Sequence, residues 1–169
     1  MKKIVFIGPE STGKTTLAMR LASEYGYDYV EEYSRSYVIE EGRELTFDDV
    51  MPIVRGQISA ECSARGELII LDSNPLASAV YSQWYYGDVP QELEEALQDM
   101  TYDLYLLCYP DIDWVEDEAR CMSKQKDRED IYALFKRKVI DSGVPYVEIM
   151  GDENMRWKTV REAVEKIIL

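Results

Sequence analysis

Short apolar runs alternate along the chain with longer stretches whose apolar positions recur every three to four residues. Lys2-Lys3-Ile4-Val5-Phe6-Ile7 predicts a β-branched first strand, after which Leu17, Ala18, Leu21, Ala22 and Tyr25 repeat at helical spacing. Tyr27-Asp28-Tyr29-Val30 predicts a short second strand closed by the acids Glu31 and Glu32. Tyr33 to Glu41 reads as a helix stopped by Gly42. Thr46 is placed to cap a third helix, with Asp48 and Asp49 in its first turn, running to about Arg65 before Gly66. Glu67 to Asp72 is apolar on both faces, as a strand inside a parallel sheet requires. Helical segments follow near 75–86 and 90–100, split by Gly87 and Pro90, and Asp103 to Cys108 predicts a fourth strand. Residues 110–126 are charged and aperiodic; a helix over 127–142, a strand from Tyr146 to Met150 and a helix over 154–168 complete the pattern.

The turn between the first strand and the first helix is Gly8-Pro9-Glu10-Ser11-Thr12-Gly13-Lys14-Thr15, which spells G-x-x-x-x-G-K-[ST] in the strand–loop–helix setting that gives the motif meaning. Gly8 and Gly13 allow backbone N–H groups to turn inward around phosphate oxygens at a helix N-terminus. Glu10, Ser11, Thr12 and Thr16 fill out the loop and the first turn that follows it. Lys14 supplies a positive charge to the outer phosphates, and the Thr15 hydroxyl suits Mg²⁺. The expected ligand is a nucleoside triphosphate. Five strands alternating with helices then predict an α/β fold, a doubly wound parallel sheet in the P-loop order 2-3-1-4-5.

The 169 residues fit a single domain spanning 1–169, large enough for one core. A net charge of −14 argues against nucleic acid and against anionic membrane surfaces. The chain has no histidine, which removes imidazole bases and most zinc sites. Cys62, Cys108 and Cys121 are widely spaced, without a metal or redox pattern, and read as reduced thiols. With no apolar run near the length of a membrane span and no leader ahead of the first strand, a cytoplasmic protein is expected.

Asp72 ends the third strand, so it emerges beside the P-loop, suited either to holding the Mg²⁺ shell or to accepting a proton from an attacking hydroxyl. Capping of the turn Ser73-Asn74-Pro75 is the plainer alternative. Glu32 leaves the same sheet edge and is a second candidate base; the plainer role is a helix N-terminal acid. Glu31 points to the opposite side of the strand, so only one of the pair faces a pocket. Arg120, Lys124, Lys126 and Arg128 stand in a polar segment, about 110–128, where a lid would close over a transferring phosphate. Arg120 is the leading candidate among them; interleaved acids make ordinary surface charge the other reading. Tyr85 and Trp114 could stack a flat base, although aromatics at helical spacing also build cores. The tyrosine-rich run 81–86 suits a pocket wall or a subunit interface equally.

Several segments together resemble one family. The P-loop, Glu32-Tyr33-Ser34-Arg35, Leu71-Asp72-Ser73-Asn74 and Trp114-Val115-Glu116-Asp117-Glu118-Ala119-Arg120 look like the ribosylnicotinamide kinase domain of bacterial NadR proteins and related P-loop ATPases. The likeness runs over nearly the whole chain, and the adenylyltransferase half that often accompanies this domain is expected to be absent. It implies ATP- and Mg²⁺-dependent phosphorylation of the 5′-hydroxyl of nicotinamide riboside, giving nicotinamide mononucleotide for NAD synthesis. Lys14, Glu32, Asp72 and Arg120 would then be catalytic, and Thr15 and Asp72 would face the metal. Glu32, Tyr33, Arg35, Asn74, Tyr85 and Trp114 would meet the nucleoside. The adenine contact is expected in the loop from Gly151 to Arg156. A kinase for another nucleoside and a nucleotide switch without a small acceptor are the alternatives.

Overall fold

A computed structural model describes residues 1–168. Its strands are β1 (Lys2–Ile7), β2 (Asp28–Val30), β3 (Leu68–Asp72), β4 (Leu104–Cys108) and β5 (Tyr146–Ile149). All pair in parallel, in the order β2-β3-β1-β4-β5 that the sequence predicts. The helices are α1 (Lys14–Tyr25), α2 (Tyr33–Glu41), α3 (Val50–Ser63), α4 (Pro75–Tyr86), α5 (Gln91–Asp99), α6 (Gln125–Asp141) and α7 (Glu153–Ile168).

Strand alternation divides the core into two layers. Ile4, Phe6, Ile70 and Leu106 meet Leu17 and Leu21 of α1 and Trp157 and Val160 of α7 on one face. Val5, Ile7, Ile69, Leu71 and Leu107 meet Leu76 and Val80 of α4 and Ile131 and Phe135 of α6 on the other. Because residues 4–7 of β1, 68–71 of β3 and all of β4 are buried on both sides, each of these stretches reads as an unbroken apolar run. A smaller cluster of Val50, Val54, Ala79, Val89 and Leu93 ties α3, α4 and α5 together. By contrast α2 contributes no buried residue. Among the described residues no helix is long and apolar enough to cross a membrane.

Two boundaries differ from the sequence expectation. The third helix begins as a 3₁₀ turn, Phe47–Asp49, and its α-helical part ends at Ser63 rather than near Arg65. There the Asp28 carboxylate accepts the N–H groups of Arg65 and Gly66, each at 3.0 Å, and draws the chain out of the helix toward β2. The expected lid, 110–128, is also too long, since its last four residues already form the first turn of α6. Arg128 is therefore a helix residue, and Ser11 and Ile112 on neighbouring segments claim its side chain.

Candidate active site

The site is built outward from the end of β1. Gly8 has φ +139°, and a Cβ there would stand 2.5 Å from the carbonyl oxygen of Cys108 on β4, so only glycine fits. Ser11 (φ 55°) and Gly13 (φ 77°) are also left-handed, the alternation that turns successive N–H groups to one side as an anion nest. The Thr12 hydroxyl and the Lys14 ammonium both donate to the Pro9 carbonyl, at 2.8 and 2.7 Å, which closes the loop around the lysine.

Two buried arginines brace this loop from behind. Arg128 donates to the carbonyls of Ser11 (3.3 Å) and Ile112 (3.2 Å). Arg156 donates to the carbonyls of Thr12 (3.0 Å), Tyr109 (2.8 Å) and Gly151 (2.8 Å) and pairs with Asp111. The loop's outward carbonyls are thus held by fixed cations while its N–H groups face the other way. Glu10 performs a related task at the mouth, accepting the Trp114 indole N–H at 3.0 Å and the backbone N–H groups of Cys121 (3.2 Å) and Met122. These contacts fasten the irregular segment between β4 and α6 to the P-loop.

Asp72 meets Thr15 beside the loop. The Thr15 hydroxyl donates to Asp72 Oδ2 at 2.5 Å, and the Tyr29 hydroxyl donates to the same oxygen at 3.2 Å. Asp72 Oδ1 is buried and has no hydrogen-bond partner. The Thr15 hydroxyl and the single Asp72 carboxylate, one of whose oxygens is orphaned, are hard oxygen donors next to a phosphate cradle, the kind that suits Mg²⁺. These residues fit the metal.

A cavity of about 660 Å³ opens from the P-loop and runs between α2, α3 and α4. Its phosphate end is lined by Glu10, Ser11, Thr12, Gly13, Lys14, Thr15 and Thr16. Glu32 lines the same cavity, close enough to Lys14 to feel its charge. Burial pushes the Glu32 carboxyl above the usual glutamate range; Lys14 pulls against this and Asp72 adds to it. The Ser34 hydroxyl donates to Glu32 Oε1 at 2.7 Å and orients it. Arg35, Asn74, Tyr85 and Arg120 also line the cavity. Arg35 is paired across the mouth with Asp117 at 2.6 Å, and that guanidinium holds the Asp117 carboxyl below its ordinary value. Arg120 is anchored by donating to the Val115 carbonyl at 2.8 Å.

Other residues singled out from the sequence lie elsewhere. Gly8 and Asp72 sit behind the lining, as the backbone hinge and the Thr15 partner. Tyr33 does not line the cavity: its ring lies against α3, where a Cβ on Gly56 would come within 2.1 Å of it. Trp114 is outside the lining too, because its indole is spent on Glu10. Lys126 pairs with Asp130 one turn along α6, and Lys124 is exposed. Arg156, in the loop expected to meet adenine, is turned inward beneath the P-loop. Glu31 is exposed, which leaves Glu32 as the pocket-facing member of the pair.

Tyr81, in the tyrosine-rich run, lines the chamber, and so does Gln57 of α3, which the sequence reading passed over together with the pocket role of Asp49. At its end Asp49 accepts two N–H bonds from Arg43, each at 2.8 Å, and one from the Tyr37 hydroxyl at 2.9 Å. Arg43 first of all holds the Asp49 carboxyl well below the usual range. A signal existed for Gln57: it interrupts the apolar row that Val50, Ile53 and Val54 establish along α3.

The family described as "AAA domain" matches residues 3–156. The chain is 22% identical over 160 residues to the trifunctional NAD biosynthesis/regulator protein NadR of Escherichia coli (strain K12), covering 90% of this chain and 39% of that protein. Among solved structures it is similar to NadR protein in complex with NR, with TM-score 0.81 and 26% identity over 98% of this chain and 51% of that one. NadR protein in complex with NAD and AMP-PNP gives TM-score 0.77 and 25% identity over 98% and 49% of the two chains. Deoxyadenosine kinase from M. mycoides shares the fold, with TM-score 0.66 and 16% identity over 98% and 99% of the two chains. The chain therefore spans about half the length of the NadR structures it matches and 39% of the E. coli protein.

Proposed function

The chain belongs to the AAA domain family across residues 3–156, and from that footing we propose that it is an ATP-dependent kinase acting on the 5′-hydroxyl of nicotinamide riboside or a closely similar nucleoside. The observation that carries the proposal is the continuity of one cavity from the P-loop, past Glu32, into a chamber walled by α2, α3 and α4. A switch that only hydrolyses nucleotide has no use for such a chamber. Likeness to NadR protein in complex with NR, and with NAD and AMP-PNP, supports a nucleotide-binding phosphotransferase and this choice of acceptor.

In this reading the loop N–H groups and Lys14 bind and orient the triphosphate, with Arg128 and Arg156 keeping the loop in shape. Thr15 and Asp72 would hold Mg²⁺, which when bound neutralises phosphate charge. Glu32 faces the acceptor hydroxyl and takes its proton as the oxygen attacks the γ-phosphorus and the bond to the β-phosphate oxygen breaks. Its raised proton affinity suits that role better than an ordinary carboxylate would. Arg120, beside the phosphate end, stabilises charge on the transferring group. Asp72, held by Thr15 and Tyr29 behind the lining, serves the metal and not the acceptor. The tyrosines Tyr81 and Tyr85, stacked at 6.2 Å, form an aromatic wall for the base. Cys62, Cys108 and Cys121 are free thiols, in keeping with a cytoplasmic location.

The test is ATP consumption against a nucleoside panel that includes nicotinamide riboside, with the product identified by mass. The proposal requires that one nucleoside raise turnover well above the water background and gain a phosphate. A rate that no nucleoside changes would leave the switch reading in its place.

A further inference from the structure

Gln57 is 4% exposed and yet belongs to the cavity wall. Its Oε1 accepts the backbone N–H of Tyr33 at 2.9 Å, and that donor fixes which end of the amide is oxygen. The contact is tight, since the Tyr33 ring fills the space over Gly56 on the same helix. Nε2 is then left buried without any partner. A buried amide N–H₂ is normally paired, so an orphan on a cavity wall points to a ligand. Along α3 the cavity-facing residues are Val50, Ile53 and Gln57, while Glu61, one turn further, faces Lys3 and Tyr102 instead. Gln57 therefore faces the chamber beside Tyr33, the first residue of α2 and the neighbour of Glu32 in the chain. Asn74 offers the complementary group: its Nδ2 donates to the Tyr105 hydroxyl at 2.9 Å, leaving a buried, unpartnered Oδ1.

We infer that Gln57 is a specificity-determining residue whose Nε2 donates to an oxygen of the acceptor molecule, with Asn74 accepting from one of its hydroxyls. This rests on the acceptor site proposed above and names what that site reads: a carbonyl oxygen on the base or a hydroxyl oxygen on the sugar. An acceptor lacking that oxygen leaves the donor buried and unpaired, which is how a site rejects a near-isostere strongly.

Steady-state kinetics separate the two sources. The acceptors are nicotinamide riboside, the pyridine riboside without its carboxamide, and the 2′- and 3′-deoxy forms of nicotinamide riboside. Each is assayed with the unmodified chain, Gln57→Glu, which keeps an acceptor for the Tyr33 N–H but removes the donor, and Gln57→Leu. The unmodified chain is expected to show KM raised about 10- to 100-fold for the one analogue that lacks the oxygen read. A loss that Gln57→Glu abolishes belongs to Gln57: with the pyridine riboside it assigns the base carbonyl, with a deoxy form the sugar, and a deoxy loss that persists belongs to Asn74. Gln57→Glu should raise KM for nicotinamide riboside by a similar factor and cease to distinguish that analogue, with kcat within about 3-fold. If every discrimination shown by the unmodified chain persists in Gln57→Glu, the inference is overturned. If neither variant folds, the unmodified chain decides, and equal KM across the series overturns it. If the unmodified chain phosphorylates none of these nucleosides, the kinase reading fails separately, and calorimetry with the same compounds decides Gln57: discriminated binding supports it, uniform or absent binding overturns it.

Discussion

The two ends of the cavity are made differently. At the phosphate end the binding groups are backbone amides and one lysine, presented by a loop that Thr12, Arg128 and Arg156 pin from three sides. At the end assigned to the acceptor they are side chains from α2, α3 and α4 together with Asn74, and Gln57 Nε2 and Asn74 Oδ1 are unpartnered there, as Asp72 Oδ1 and Arg128 Nε are beside the P-loop. Moreover α2, which forms one wall of that end, buries nothing in the core. A triphosphate tail is the same for every kinase and permits a rigid, locally encoded cradle. An acceptor is particular to one enzyme, so its wall is assembled from side chains of several helices, one of them the least anchored.

The sharpest way to break this division is Lys14→Ala, which should reduce phosphotransfer by about 1,000-fold while circular dichroism and the melting temperature stay near those of the parent. Near-parental turnover would remove the phosphate end from the mechanism. Glu32→Gln comes next, with kcat expected to fall about 100-fold and nucleotide affinity unchanged. The same variant reports on pH. Because the folded Glu32 value is raised, the native state holds a proton that the unfolded chain has released above about pH 4.3. Stability from this group is therefore greatest at the acid side and declines as pH rises through that window. Denaturation of parent and Glu32→Gln across pH 4–7 should show the parent losing stability relative to the variant as pH rises; parallel curves would contradict the burial of this carboxyl.

A smaller effect is expected behind the loop. Arg156→Met deletes the guanidinium that holds the Thr12, Tyr109 and Gly151 carbonyls, at about 1–3 kcal/mol of stability, and should weaken ATP more than it weakens the nucleoside. An equal loss for both ligands would mean that the ends are not separately supported. The smallest is Arg35→Ala, which cuts the exposed pair with Asp117 across the mouth. It should shift the melting temperature by no more than about 2 °C, and 1 M salt should erase even that difference.

Legibility followed the same division. The strands were readable because a doubly covered sheet demands continuous apolar runs, and the cradle was readable because its geometry needs fixed residues at fixed spacing. Arg128 and Arg156 were not. Arg128 reads as a lid or surface charge and Arg156 as the end of an adenine-contact loop, and only the backward-facing carbonyls of Ser11 and Thr12 draw them inside. Trp114 was misplaced for a similar reason, since the partner that removes it from the cavity is Glu10, far away in the chain. Tyr33 went to fill the notch left by Gly56, a complementarity that no local pattern announces. Glu32 lines the cavity and Glu31 is exposed, although β2 ends at Val30 and Glu32 is turned by its place at the start of α2 instead of by a strand period.

The close fit of Gly8 against the Cys108 carbonyl has a consequence for anyone mapping this protein by random mutagenesis. Any side chain at position 8 would push β4 sideways and carry β5, hydrogen-bonded along its outer edge, with it. Variants there should drop out of a library for misfolding and for inactivity together, and so reveal nothing about catalysis. Position 14, on the neighbouring helix, is where a screen can tell a broken machine from a broken frame.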